Sequence, residues 1–323
     1  MPPEAPDGLG KPRRRARRTS RPPSPSRPPS ETIEIRTEDG WSLRAEVREP
    51  PRDPVGVAVL GHAMMARRTE FDRPVGAGLA GMLVERGWRV VAFDFRGHGD
   101  SGPLARQGAA YSYDDLVAHD LPAVHAFARS DAPRRRPVVL VGHSLGGHVG
   151  LAAQGTGRVA FDAIVGVGAN VWLEQLEPST ARWMVKRGAL SVLTAILRRV
   201  GRFPARALRL GSDDEARGWL EDFARFARTG AWTSADGRTD YLASLASVRV
   251  PLLQLVSDGD RLECAPECGA LFAARCGGGH ELLRIAHADD GGRPPDHMGI
   301  VTSGRVRSVW ERVEGWMARA PAG

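Results

Sequence analysis

Between the apolar run Val138-Val139-Leu140-Val141 and a stretch of small residues lies Gly142-His143-Ser144-Leu145-Gly146-Gly147, a G-x-S-x-G pattern. That order of residue types suits one chemistry. A serine hydroxyl is a weak nucleophile unless it is held on a sharp strand-to-helix turn within reach of a base. Glycines on either side remove the side chains that would collide across such a turn. The helix that follows offers backbone N–H groups and a dipole to developing negative charge. Acyl transfer through serine needs two further groups, a base to take the hydroxyl proton and a carboxylate to orient the base. Downstream, Ser257-Asp258-Gly259-Asp260 closes a strand-like run, and Pro295-Asp296-His297-Met298-Gly299 precedes the last helical segment. Ser144, then Asp258 or Asp260, then His297 thus form a serine, acid, histidine series in chain order.

Such groups act only if elements hold them together. Thr32–Arg36 and Trp41–Val47 alternate polar and apolar residues around Glu38-Asp39-Gly40, which predicts a β-hairpin. Val55–Leu60, Val90–Phe93, Val138–Val141, Ala163–Val167, Leu252–Val256 and Leu282–Ile285 are short apolar runs, as expected of strands covered on both faces. Helical spacing separates them: Pro74–Arg86, then Ser112 to about Arg129 with Pro122 as a kink, Leu145–Ala153, and a last helix with Val306, Val309, Trp310, Val313, Trp316 and Met317 on one side. Strand and helix in alternation predict an α/β fold, with a mostly parallel central sheet and helices on both faces. From about Asn170 to Ala246 the alternation stops. The segment is helical in period, with Leu190, Leu193, Ile196, Leu197 and Val200 on one stripe, and holds Trp172, Trp183, Trp219 and Trp232, four of the eight tryptophans. It reads as an insertion that covers a pocket, with about half of its tryptophans as core.

The net charge of +7 suggests a polyanion partner until its distribution is considered. Residues 1–30 hold eight basic and two acidic residues, hence +6 of the +7. They are rich in Pro, Ser and Arg, lack aromatics and read as a disordered tail, a tolerated extension rather than a tether to an anionic surface or a nucleic acid. Cys264, Cys268 and Cys276 are too few for a disulfide framework and point to a reducing, cytoplasmic setting. With His280 they lack the tight pairs of structural zinc sites, so buried thiols and no metal are expected. No run approaches a membrane span, and no apolar stretch after the first arginines makes a secretory signal.

With these motifs in place, the chain resembles the α/β-hydrolase superfamily over roughly residues 31–319. The resemblance is carried by Gly61-His62, Asp94-Phe95-Arg96-Gly97-His98-Gly99-Asp100-Ser101, Gly142 to Gly147, Ser257 to Asp260, and Asp296-His297-Met298-Gly299. More narrowly it is similar to a bacterial serine-aminopeptidase-like group, through Gly201-Arg202-Phe203-Pro204 and His297-Met298-Gly299. The resemblance implies an α/β-hydrolase core over residues 31–169 and 247–323 and a helical cap over 170–246. It implies Ser144 as nucleophile, His297 as general base and acid, and Asp260 as orienting carboxylate, preferred to Asp258 because an apolar residue and a proline follow it. The implied oxyanion hole is the backbone N–H of Leu145 and of Met64. Here the sequence departs from the family, with Ala63 after His62 and the glycine shifted to Gly61. His143 and His148 are expected to pack locally and His98 to brace the site. His119, His125, His280 and His287 have no matching motif. The expected activity is hydrolysis of a carboxylic ester or related acyl bond of a small molecule, without cofactor or metal. An acyltransferase, a peptide N-terminal amide hydrolase and a non-catalytic ligand receptor are the competing readings.

Overall fold

The computed structural model describes Met1 and residues 30–130, 132 and 136–321. The basic tail expected over residues 1–30 lies, apart from its two ends, outside the described residues.

The eight expected strands form one sheet. In chain order they are β1 (Ser30–Arg36), β2 (Ser42–Arg48), β3 (Gly56–Gly61), β4 (Trp88–Asp94), β5 (Val138–His143) and β6 (Ala163–Val167). A small antiparallel pair, β7 (Arg202–Phe203) and β8 (Glu215–Ala216), comes next, followed by β9 (Leu252–Ser257) and β10 (Glu281–Ile285). The sheet order is β1-β2-β4-β3-β5-β6-β9-β10. The hairpin strands β1 and β2 are antiparallel, and every pairing from β4 to β10 is parallel. Parallel pairing puts the carboxyl ends of β3, β5, β6 and β9 at one edge, where an open α/β sheet binds its ligands.

Alternation along each strand divides the core. Ala58, Leu60, Val139 and Val141 face the helices Leu79–Glu85 and Arg307–Met317. Val57, Val59, Val138 and Leu140 face the helix Leu145–Gly155 and the segment beyond β6. That second core runs without a break into the inserted segment, where Trp183, Trp219 and Trp232 are buried. Three of the four tryptophans there are therefore core, more than the half expected. Burying each such side chain contributes about 2 kcal/mol or more. Of the expected apolar stripe, Leu190 and Leu197 are buried while Val200 is exposed.

Two helices differ from expectation. The first begins at Leu79 instead of Pro74, because Gly76 has φ 75° and Gly78 is extended, so the chain turns before the helix starts. The second opens at Ser112, whose hydroxyl accepts from the Asp115 N–H, but Leu116–Asp120 forms a wide π-type turn before the helix Leu121–Ser130. This wide turn accommodates the missing N–H and the ring of Pro122 where a kink was expected. Among the described residues no helix is long and apolar enough to cross a membrane.

Candidate active site

Ser144 joins β5 to the helix Leu145–Gly155 with φ 49° and ψ −107°, a positive-φ conformation that is costly for any residue but glycine. Neighbouring backbone over-determines it. The Ser144 N–H donates to the Val167 carbonyl at 2.8 Å, and the Gly146 N–H donates to the His62 carbonyl at 3.1 Å. Strand register explains these contacts: Gly61 lies opposite Gly142, and His143 opposite Val167. The approach leaves no room for side chains. A Cβ on Gly146 would lie 2.2 Å from the Gly61 oxygen, and one on Gly142 would lie 2.5 Å from the Gly146 backbone. Glycine at 61 suits the same approach, since a Cβ there would lie 3.3 Å from the Gly146 Cα.

His297 stands in the loop after β10. Its Nδ1 makes a short hydrogen bond to Asp260 Oδ2, and Asp260 Oδ1 accepts from the Cys264 N–H at 2.9 Å. Asp258, the other candidate, is turned outward and accepts from Arg284 Nε at 2.6 Å. Burial opposes charge on both members of the buried pair, but the bond between them outweighs it. The Asp260 pKa stays below the ordinary carboxylate value and that of His297 rises above the ordinary imidazole value. The end of β6 places His297 beside the elbow, because a Cβ on Gly168 would lie 3.0 Å from His297 Cε1. The His143 ring, next in chain to Ser144, is centred 5.0 Å from that of His297, and its Nε2 donates to the His297 carbonyl at 3.1 Å.

The loop after β3 is held by side chains. His62 is fully buried, its pKa driven well down by burial. Its Nε2 accepts from the Phe95 N–H at 3.0 Å, so Nδ1 carries the hydrogen and donates to the Ala63 carbonyl at 2.7 Å. Glu70 Oε1 accepts from the Ala63 N–H at 3.1 Å and lies 2.9 Å from His143 Nδ1, linking this loop to the elbow. Met65 has φ 60° and is gripped from the inserted segment. Its N–H makes a short bond to Glu215 Oε1, and its carbonyl accepts from the N–H groups of Ser212 and Asp213 at 2.8 and 3.2 Å. Glu215, fully buried on β8, also meets His98 Nε2 at 3.1 Å and accepts from Trp219 Nε1 at 2.9 Å. Burial alone would hold His98 neutral, but the Glu215 charge and hydrogen bond lift its pKa to about 9. Beside them Arg67 forks onto Asp213 at 2.6 and 2.8 Å.

The structure therefore brings Asp260 and His297 into contact, with Gly168 against the His297 ring and with His143, next in chain to Ser144, on another side of it. It puts Leu145 at the first turn of the elbow helix and Met64 one residue before the clamped Met65. His148 packs against Tyr113, with its Nδ1 3.0 Å from the hydroxyl and its pKa lowered by burial to about 3. Sequence reasoning missed Glu70 and Glu215. Nothing near Glu70 marks it. Glu215 ends Asp213-Asp214-Glu215, the first acids after a long acid-free stretch, and that break in charge was a usable signal.

An elbow serine at the carboxyl edge of a parallel sheet, with histidine and acid on later loops, is the architecture of an α/β hydrolase. The family model for serine aminopeptidase S33 matches residues 75–287, and the chain belongs to that family. The match stops short of His297, whose placement comes from the geometry above. A non-heme haloperoxidase from Rhodococcus erythropolis is 44% identical over 87 residues, 26% of this chain and 28% of the relative, so the matched stretch spans little over a quarter of that protein. Similar solved structures include an esterase from Exiguobacterium antarcticum, with 16% identity, TM-score 0.60 and coverage of 89% of this chain and 99% of the other. An esterase from Pyrococcus furiosus matches with 19% identity, TM-score 0.58 and coverage of 93% and 98%. At these identities the likeness is one of fold. The protein is an α/β-hydrolase-type enzyme.

Proposed function

We propose that the enzyme cleaves a carboxylic ester through an acyl-serine intermediate, with Ser144, His297 and Asp260 as its triad and residues 170–246 as a cap. The observation that carries this reading is the hydrogen bond from His297 to a buried Asp260 beside a serine in the strained elbow conformation. Because Nδ1 is committed to Asp260, Nε2 is the nitrogen left for Ser144 Oγ. Oγ attacks the ester carbon as Nε2 takes its proton. The carbonyl oxygen becomes an oxyanion, and the N–H groups of Leu145 and Met64 are its donors. Collapse of this intermediate expels the alkoxide, which leaves as alcohol with the proton from His297. Water then attacks the acyl-serine, giving its proton to His297, and the second collapse releases the acid and restores Ser144.

A cavity of about 370 Å³ adjoins the loop after β3, bordered by Met64, Met65 and Met298 and by the polar Arg67, Glu70, Arg73 and Arg209; Ser144 and His297 do not line it. Its methionines suit varied apolar shapes. The three buried, unpaired cysteines accord with a reducing compartment such as the cytoplasm. The test is labelling with a fluorophosphonate probe, together with turnover of p-nitrophenyl butyrate and of an aminoacyl p-nitroanilide. The expected result is one label, on Ser144, and ester turnover that falls by about a thousandfold or more in Ser144→Ala. Full turnover in that variant, or a label elsewhere, overturns the triad. Faster cleavage of the anilide overturns the ester assignment.

A further inference from the structure

The helix Thr180–Val200 is apolar on two opposite sides. Its inward side buries Trp183, Leu190 and Leu197 together with Lys186. Its outward side presents Val185, Gly188, Val192 and Ala195 at alternating three- and four-residue steps, with Met184 beside them, all exposed. Met184, Val185 and Val192 are 59, 57 and 61% exposed. A helix face in contact with water ordinarily carries polar and charged residues, and here the first charge on that stripe is Arg199. Past the helix Leu208 and Leu210 are exposed as well, at 46 and 62%, Leu210 at the border of the cavity beside Met64 and Met65.

The charge of this segment is a separate observation. Residues 180–210 contain eight basic residues and no Asp or Glu. Arg182 and Lys186 are paired with Glu177, and Arg202 with Asp214. Arg187, Arg198, Arg199, Arg206 and Arg209 are exposed, and their guanidinium groups meet no carboxylate among the described residues. Aliphatic side chains flanked by unpaired guanidinium groups complement an anionic lipid surface. The aliphatics enter the boundary between headgroups and acyl chains while arginine stems extend back to the phosphates. A nucleic acid would satisfy the arginines and leave the aliphatics wet. A second copy would cover the aliphatics and set one group of unpaired arginines against another.

We propose that the outer face of Thr180–Val200 docks the enzyme on an anionic phospholipid bilayer. The helix lies on the surface and does not cross it, consistent with its charges. Its inward side ties the docked face to the candidate site. Lys186 Nζ donates to Glu177 at 2.8 Å and stands 5.2 Å over the Trp172 ring, and Trp172 Nε1 donates to the carbonyl of Glu263, three residues beyond Asp260. The basic residues 1–30 add net charge of the same sign.

The experiment is sedimentation of the full chain with vesicles of phosphatidylcholine mixed with phosphatidylglycerol, and with vesicles of phosphatidylcholine alone. Binding is expected to the mixed vesicles only and to weaken with salt. Because the basic tail alone could produce that pattern, the deciding variant carries Met184→Ser, Val185→Ser and Val192→Ser, which change no charge. It should bind about tenfold or more weakly with its thermal transition retained, since it loses apolar insertion and not attraction. Arg198→Gln with Arg199→Gln should weaken binding further. Unchanged binding by the serine variant, no binding by the wild-type chain, or a wild-type dimer that the serine variant converts to monomer overturns the proposal. The readout is binding, so none of these outcomes bears on whether Ser144 is the nucleophile.

Discussion

The two loops that flank the candidate site are held in unlike ways. The elbow at Ser144 is fixed by main chain against main chain, with its N–H on Val167, Gly146 on His62 and Gly146 packed against Gly61. The loop after β3 shares the Gly146 to His62 bond but relies further on carboxylates, Glu70 on Ala63 and Glu215 on Met65, and on the Ser212 and Asp213 N–H groups at the Met65 carbonyl; Glu215 arrives from the inserted segment about 150 residues away in sequence. The first restraint belongs to the sheet and is as rigid as the strand register. The second depends on how the inserted segment seats, so a change in that segment reaches Met64 and Met65 without touching the elbow.

The sharpest way to break the comparison is to insert a methyl group where main chains meet. Gly146→Ala puts a Cβ 2.2 Å from the Gly61 oxygen, and no flexible side chain is there to yield. The start of the helix must move away from β3, so the expected outcome is loss of the folded protein or of activity by about a thousandfold, with about 3 kcal/mol of destabilisation. Thermal denaturation and fluorophosphonate labelling check it. A variant with wild-type melting and labelling would show that the elbow has slack and that the contrast is false.

The same contrast explains what could be read in the sequence. Strands buried on both faces announce themselves as apolar runs and the hairpin strands β1 and β2 by their alternation, so all eight strands of the main sheet were legible, although β10, read as covered on both faces, is exposed on one. Placing the strand ends brought out Ser144 and the pair Asp258 and Asp260 as candidates, the loop before the last helix brought out His297, and the preference for Asp260 came from the family resemblance. Restraints between main chains leave a trace as well, in the glycines at 61, 142 and 146. Restraints from distant side chains leave almost none. Glu70 lies in a loop with no period, and Glu215 touches Met65 only because β8 folds back over the sheet edge. Helix starts were misread where glycine backbone freedom prevailed over apolar spacing, as at Gly76, whose positive φ ends any helix reaching back to Pro74.

Removing the carboxylate sharpens the comparison from the other side. Glu215→Ala frees the Met65 N–H and leaves His98 and Trp219 Nε1 without their acceptor. The loop after β3, which is proposed to carry the oxyanion donor Met64, should lose one of its restraints while the elbow keeps its own. The expected result is a fall in kcat of about a hundredfold, the scale of one misplaced oxyanion donor, with a much smaller change in KM. Glu215→Gln, which retains an acceptor for Met65, should recover a large part of kcat. An equal fall in both variants would trace the effect to charge instead of loop position. No fall in either would mean that the inserted segment does not govern the loop.

The smallest effect is the titration of His98. Its pKa in the folded chain, about 9, lies above the ordinary 6.5, because Glu215 more than offsets the cost of burial. A raised pKa stabilises the folded state fully below the ordinary value, and this contribution drains away as pH rises through the folded value. Stability should therefore decline between about pH 6.5 and 9, by an amount on the order of 3 kcal/mol at most, since a tenfold change in proton affinity is worth about 1.4 kcal/mol. For a chain of this size that is a drop of several degrees in Tm. In Glu215→Gln the charge that raises the His98 pKa is gone, so His98 should be neutral across the window and the alkaline slope should flatten. A slope unchanged by Glu215→Gln would assign the pH dependence to another group and separate the His98 to Glu215 pair from the restraint on Met65.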